Sequence, residues 1–170
     1  MNRQKGFSLI ELLIVVAIIL IIAAIAVPSL IRSKIAANEA SAVSSVRTIT
    51  TAETTYSATW GSGYSPDLAS LGGAAPCVNA TAGAACLIDP LLSVAPFTKT
   101  GYVFAAAGAT PAGGSLTTFE VNATPGSVGS SGQRAFCADQ SGVIRFNTTG
   151  VAIGTAVGTC AAGGMILVGN

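Results

Sequence analysis

The cysteines are the first residues whose type and spacing invite a chemical interpretation. The sequence has four of them in 170 residues, Cys77, Cys86, Cys137 and Cys160. None of the intervals between them has the two-residue spacing of a zinc knuckle or a redox motif. If this part of the chain is exported, disulfides are favoured over free thiols, and four cysteines allow three pairings.

Acid, base and metal chemistry have few residues to work with. The chain has no histidine, which removes the commonest general base, the usual zinc ligand and every Ser/His or Cys/His arrangement. It has no Gly-rich phosphate loop and no Gly-x-Ser-x-Gly elbow. The carboxylates at Asp67, Asp89, Glu120 and Asp139 are scattered rather than grouped as in a calcium loop. We therefore predict a protein that is not an enzyme, with no catalytic residue, metal site or cofactor.

The charge balance is small and carries no basic block. Eight basic and seven acidic residues give a net charge of +1, which offers no electrostatic footprint for nucleic acid. Three Asn-x-Thr sequences, at Asn79, Asn122 and Asn147, match N-glycosylation acceptors, although such short motifs also arise by chance in a Thr-rich chain. Exposed Ser and Thr side chains offer an O-linked alternative without a particular site.

One carboxylate lies where a charge is expensive. Residues 9–27 are apolar except for Glu11, and this run of 19 residues approaches the roughly 20 that span a bilayer as a helix. Arg3 and Lys5 precede the run and favour a cytoplasmic N-terminus. The alternative of a secretory signal cleaved near Ala26 is opposed by the length of the run and by Glu11 itself.

The residues around this carboxylate resemble a known signal. Residues 5–16, KGFSLIELLIVV, closely resemble the class III signal of type IV pilins and pseudopilins. The resemblance implies that a prepilin peptidase cuts after Gly6 and methylates Phe7. It also implies that Glu11 pairs with the new amino group of a neighbouring subunit during assembly, although Glu11 could instead pair with its own amine or stay at the headgroup level.

A proline inside the apolar helix is the second assembly candidate. Pro28 falls where many of these proteins have a proline, and it removes a backbone donor, so we expect a kink or lost hydrogen bonds near residues 24–28. A passive kink at the membrane exit is the alternative to a role in assembly. Weaker resemblances to small pilins and major pseudopilins lie at residues 64–68, 101–104 and 134–145.

The elements that must position these residues follow from periodicity. Beyond the apolar run, Val46, Ile49, Glu53, Tyr56 and Trp60 recur at steps of three and four, so we predict one helix over residues 7–59, ended by Gly61 and Gly63. Its first half must be covered by lipid or other subunits. Its second half is amphipathic and needs a domain to pack on.

The remaining chain predicts that domain. We expect a connecting loop with little regular structure over residues 61–100, attached to the core by Leu68, Leu71, Leu87, Leu91 and Leu92. Four strands should follow at residues 101–106, 116–123, 133–138 and 143–147, with a hairpin connection at 139–142. The fold class is thus α+β, a long N-terminal helix packed on a four-stranded antiparallel sheet. The sequence does not determine the conformation of residues 151–170.

The expected organisation combines the resemblance with these elements. Residues 1–6 form a cleaved leader, 7–30 the transmembrane and filament-core helix, 31–60 the amphipathic half, 61–100 the loop, and 101–170 the sheet with a disulfide-closed C-terminal region. We favour the sequential pairing, Cys77 with Cys86 and Cys137 with Cys160. The resemblance supports it, because many pilins close a C-terminal loop with a disulfide anchored in the sheet.

The function that follows is structural. The resemblance implies a subunit of an extracellular type IV pilus, which polymerises with itself after processing at the inner membrane by the prepilin peptidase and the pilus assembly machinery. Before assembly the chain would span the inner membrane once, with a cytoplasmic N-terminus. The alternative is a major pseudopilin of a type II secretion system. Major pseudopilins carry calcium sites, so the scattered carboxylates of this chain favour the pilus. Two expected disulfides and a hydroxyl-rich surface favour it as well. A membrane-anchored hydrolase or binding domain is disfavoured by the missing motifs.

Overall fold

The protein is described by a computed structural model over residues 7–61, 63–73, 76–109, 115–162 and 164–168. The chain divides into two compact units, Met1–Lys34 and Ile35–Asn170. Helix α1 (Leu9–Trp60) supplies the described helix of the first unit and opens the second. The predicted leader, residues 1–6, and its cleavage residue Gly6 lie outside the described residues.

Helix α1 has clear start and stop signals. At its start the Glu11 carboxylate accepts the backbone N–H of Ser8 at 2.9 Å, which is one of the two hydrogen bonds of a capping box. At its end Gly61 has φ +64° and donates its N–H to the Ser57 carbonyl, a left-handed conformation that glycine adopts without strain. Pro28 lies inside the helix, which is assigned without interruption across it. The helix is thus continuous across residues 24–28, and the expected kink or loss of hydrogen bonds there stays a prediction.

The first unit leaves its apolar side chains uncovered. The large apolar residues of the first unit, from Phe7 to Ile31, are all exposed, and the apolar window of α1 has a mean hydropathy of 3.3 with none of it buried. By length and composition this helix could cross a membrane. Side chains this apolar need lipid or other subunits around them.

The second unit is built on an antiparallel meander. Its sheet has the order β1-β2-β3-β4-β5-β6, with strands Thr98–Lys99, Tyr102–Ala109, Thr118–Pro125, Ala135–Asp139, Ile144–Asn147 and Ile166–Leu167. The predicted four strands correspond to β2 to β5. The predicted strand number is wrong because two short edge strands, β1 and β6, extend the sheet on either side. Two residues give too short a pattern for sequence periodicity to detect.

One face of this sheet packs on the second half of α1. Val46, Ile49 and Tyr56 of the helix join Phe104, Phe119, Val121 and Phe136 of the strands in one core cluster. The α+β prediction of a long helix packed on an antiparallel sheet is confirmed. Tyr102 is fully buried beside Gly132, where an added Cβ would lie 2.0 Å from the Tyr102 hydroxyl, so only glycine fits there.

The connecting loop is more regular than predicted. It contains two four-residue helices, α2 (Leu68–Leu71) and α3 (Pro90–Ser93), each capped by a carboxylate one residue earlier. Leu68, Leu71 and Leu92 are buried and Leu87 packs partly against the core. Leu91 is 58% exposed, so its predicted core contact is wrong: the single turn of α3 turns Leu92 inward and Leu91 outward.

The C-terminal segment, residues 148–165, covers the other face of the sheet. Ala135 and Cys137 of β4 pack there with Ile153, Cys160 and Met165 in a second cluster. Strands β3 and β4 are therefore buried on both faces over most of their length. The second unit has three layers, which are helix α1, the sheet and this segment.

Candidate functional site

The residues at the start of α1 form the candidate assembly site. Phe7 is 88% exposed, directly ahead of the first turn. Glu11 is exposed, and its carboxylate is held by the Ser8 N–H within its own chain. The structure thus gives Glu11 a local partner, and its pairing with an amino group remains a proposal. The sequence carries a signal for this local partner, the spacing Ser8-x-x-Glu11, which is typical of a helix start.

The cysteines pair sequentially, in agreement with the favoured prediction. Cys77 bonds to Cys86 with a Cα–Cα distance of 5.8 Å, and Cys137 bonds to Cys160 with 5.6 Å. The first disulfide closes a nine-residue interval in which Cys77 itself is exposed. The second is fully buried and ties the C-terminal segment to strand β4.

The carboxylates share a role that sequence reasoning did not find. Each of the chain's seven Asp and Glu side chains accepts at least one backbone N–H. Six of them lie in the second unit and hold loops or helix starts. This use of acids explains why so few are exposed there: Glu39, Glu53, Glu120 and Asp139 are buried. Charge-assisted bonds of this kind are roughly twice as strong as neutral ones.

Glu39 joins helix α1 to the β3–β4 connection. It accepts the backbone N–H groups of Gln133 and Arg134 and a bidentate contact from the Arg134 guanidinium, at 2.8 and 2.6 Å. Burial alone would raise the pKa of Glu39, but the hydrogen bonds from Arg134 and Gln133 outweigh it and hold the pKa below 4.5. The Arg134 guanidinium also lies 4.9 Å from the ring centre of Phe146, a cation–π contact.

Glu53 is the opposite case on the same helix. It is fully buried and accepts the N–H and the hydroxyl of Ser65 at 2.8 and 2.7 Å. Burial raises its pKa above 4.5, the two Ser65 bonds oppose this rise, and the nearby charge of Asp67 adds to it. Glu53 therefore fixes the chain just beyond α1 while retaining a proton more readily than an exposed acid does.

Two further acids hold the C-terminal half. Glu120 of β3 accepts hydrogen bonds from the N–H groups of Gly158 and Cys160. Its cross-strand neighbour Asp139 accepts hydrogen bonds from the Ser141 N–H and the Arg145 guanidinium. Burial raises the pKa of Glu120. Burial also acts on Asp139, but the hydrogen bonds from Ser141 and the Arg145 charge prevail and lower its pKa. Within the described residues no group of three or more His, Cys, Asp or Glu side chains is placed to hold a metal ion.

The three Asn-x-Thr sequences have different surroundings. Asn122 is buried in β3, where its side-chain amide donates to the Ile153 carbonyl, so the folded domain does not expose an acceptor at that position, and modification there stays a prediction. The Asn147 amide donates to the Val151 carbonyl. Asn79 is exposed inside the Cys77–Cys86 loop. Strand alternation places Asn122 on the sheet face that the C-terminal segment covers.

Comparison with known proteins bears on the start of the chain. Residues 1–27 match the family model of the prokaryotic N-terminal methylation motif. Comparison with curated proteins and with solved structures finds no match. The matched motif is the class III prepilin signal, and the long apolar N-terminal helix, which begins within the matched residues, fits a pilin.

The motif carries a coarse functional statement. It supports a type IV pilin or pseudopilin, which are structural filament subunits rather than enzymes. It implies processing by a prepilin peptidase and assembly into a pilus-like polymer. The apolar helix is consistent with a membrane-anchored precursor.

Proposed function

We propose that the mature chain, residues 7–170, is the repeating subunit of an extracellular type IV pilus. The observation that best supports assembly into a polymer is the methylation motif at the N-terminal end of a helix. The large apolar side chains of that region are exposed from Phe7 to Ile31. Such a surface is stable in a bilayer before assembly and against the same surface of other subunits afterwards. Gly6 would be the last residue of the cleaved leader and Phe7 the methylated one.

The globular unit favours a filament outside the cell over a secretion pseudopilus. Both disulfides stabilise parts of the domain with little regular structure, Cys77–Cys86 within the connecting loop and Cys137–Cys160 between strand β4 and the C-terminal segment, as suits an oxidising compartment outside the cytoplasm. The carboxylates hold loops rather than converging on one point. The exposed face of α1 in this unit consists of Ala, Ser and Thr with one arginine.

The inner-membrane steps follow from the same residues. Arg3 and Lys5 would hold the leader in the cytoplasm while the apolar helix enters the bilayer. Removing them leaves 8 − 2 = 6 basic against 7 acidic side chains, a net −1 before the termini are counted. The partners of this stage are the prepilin peptidase and the inner-membrane assembly machinery. The major pseudopilin of a type II secretion system is the second candidate, favoured by the same motif.

Sheared cell-surface filaments test the proposal. Electron microscopy should show extracellular filaments, and intact-mass analysis of their subunit should give a chain that begins at methylated Phe7 and contains two disulfides. Cells without surface filaments, in which the chain forms short periplasmic filaments on overproduction, would establish the pseudopilus instead. A subunit that retains Met1, or one cut near Ala26, would contradict the prepilin assignment.

A further inference from the structure

Two oppositely charged and exposed side chains of the second unit, Arg47 and Asp67, form no ion pair within it. This unit has four basic side chains, Arg47, Lys99, Arg134 and Arg145, and six acidic ones. Three ion pairs form within it: Lys99 with Asp89, Arg134 with Glu39, and Arg145 with Asp139. Glu53 and Glu120 are buried and held by hydrogen bonds from Ser65, Gly158 and Cys160. Arg47 and Asp67 remain, both exposed.

Arg47 lies in a shallow groove of small side chains. The groove has a volume of about 350 Å³ and is lined by Ser44, Arg47, Thr48, Thr51, Ala52, Thr55 and Leu87. The hydroxyls of Thr48, Thr51 and Thr55 donate to helix carbonyls at positions 44, 47 and 51. Among the described residues no hydrogen bond or ion pair reaches the Arg47 guanidinium. Its N–H groups can therefore donate to an acceptor that enters the groove.

Asp67 lies on another side of the same unit. It is exposed with Pro66 and Ala69, and one of its carboxylate oxygens accepts the N–H and hydroxyl of Ser70. Its charge acts on Glu53, which is on the buried face of α1, whereas Arg47 is on the exposed face of that helix. Arg47 and Glu53 are six residues apart in α1, so their side chains point about 120° apart.

We infer that Arg47 of one copy binds Asp67 of the next copy in the filament. The two charges are complementary, exposed and located on different faces of one unit. An interface between such faces is head-to-tail, and it propagates into an open polymer rather than closing as a two-fold dimer. The small side chains around Arg47 let the neighbour's loop at Pro66 and Asp67 approach closely, and Leu87 gives the contact an apolar floor. The inference rests on the proposed filament and adds which surfaces of the globular units meet.

Charge reversal in the full-length chain tests this contact. Arg47→Glu and Asp67→Lys should each reduce the yield of sheared filaments by about fivefold or more, since each turns an attraction of an exposed pair into repulsion. The double variant should recover most of the wild-type yield. Asp67→Asn keeps the acceptor that caps α2 while removing the charge, so it separates loss of the ion pair from misfolding. Ala58→Glu, eleven residues further on and therefore on the same exposed helix face as Arg47, lies outside the groove, is the matched control and should assemble normally.

A proximity measurement supports the genetic one. With all four native cysteines in disulfides, Arg47→Cys combined with Asp67→Cys adds two free thiols, and a short bis-maleimide should link filament subunits into a ladder of oligomers. Single variants should give no ladder. If wild-type filaments form, three results would each overturn this inference and leave the proposed function standing. They are a normal filament yield from the charge variants, a double variant that does not recover the yield, and the absence of a cross-linked ladder. Absence of wild-type filaments in every form would overturn the proposed function and this inference with it.

Discussion

At the residue scale, acidic side chains in this protein serve as hydrogen-bond acceptors for backbone. Glu39 and Glu53 show the two ways in which burial and partners can balance. Glu39 has a guanidinium beside it and keeps its charge, whereas Glu53 has a serine and is driven towards its neutral form. The same residue type on one helix should therefore give opposite responses to pH.

The pH response of these two glutamates can be predicted from the directions of their pKa shifts. The lowered pKa of Glu39 adds stability above its unfolded value of about 4.5, and this stability is lost as pH falls through the folded pKa. Glu39→Gln should cost about 1.5–3 kcal/mol at neutral pH and less in acid. The raised pKa of Glu53 adds stability in acid that is lost as pH rises through it, so Glu53→Gln should cost more in acid than at neutral pH.

Urea unfolding of the detergent-solubilised chain, followed by the fluorescence of Trp60, measures both variants against the wild type. Trp60 is the single tryptophan and stacks on Tyr56 at 4.9 Å at the end of α1. Parallel pH profiles for the two variants would contradict the assignment of opposite shifts.

Glu11 offers a second prediction at this scale, because the structure gives it a capping role beside the proposed charge pairing. A carboxylate in hydrocarbon costs on the order of 3 kcal/mol at mid-membrane, so an incoming amino group of a methylated Phe7 would relieve that cost. Glu11→Ala and Glu11→Gln should both leave export and cleavage intact and stop or slow filament growth. Glutamine retains the acceptor for the Ser8 N–H, so normal pili from Glu11→Gln alone would assign the residue to capping. Normal pili from both variants would remove Glu11 from assembly.

At the element scale, the C-terminal segment depends on its disulfide more than the connecting loop depends on its own. The Cys137–Cys160 bond closes a 23-residue interval and is buried in the second cluster, whereas Cys77–Cys86 closes nine residues at the surface. Among its described residues the segment contains no strand, and the two-residue strand β6 follows it. Its attachment otherwise rests on Glu120, Asn122 and the disulfide.

Removal of each disulfide should therefore have unequal effects. Replacing Cys137 and Cys160 by alanine should lower the free energy of unfolding by about 3 kcal/mol from loop entropy, with a further loss from the space that the two sulfur atoms leave in the buried cluster around Ile153. Replacing Cys77 and Cys86 by serine should cost less, about 2.5 kcal/mol or below. Urea unfolding of the two double variants decides this, and equal losses would contradict the structural ranking.

At the scale of the whole molecule, we expect Pro28 to set how the helix responds to load. Proline has no N–H to donate to the carbonyl of Ala24, yet α1 is helical across it. In a filament this position can lose its remaining hydrogen bonds at low cost, which would let the polymer lengthen under tension. Pro28→Ala restores the donor and should give a stiffer filament in pulling experiments. Identical extension of both filaments would leave only a passive role for this proline.

Local patterns in the sequence were enough to predict the class of this protein, its long helix and the strands β2 to β5. The apolar run, Glu11 and residues 5–16 indicate the processing route because the whole signal is contiguous in the sequence. The stripe from Val46 to Tyr56 predicted the buried face of α1 because helical periodicity alone sets which side chains share a face. The turn at Gly142, with φ +72° and its N–H on the Asp139 carbonyl, was likewise local.

The tertiary structure decided what covers the far face of the sheet and what the acids do there. In β3, Phe119 and Val121 alternate with Glu120 and Asn122, a pattern typical of a strand with one solvent face. The C-terminal segment buries that polar face, and Glu120 and Asn122 bind its backbone. Periodicity reports which side chains share a face but not which distant segment covers it, because long-range burial depends on contacts 31 to 40 residues apart in sequence.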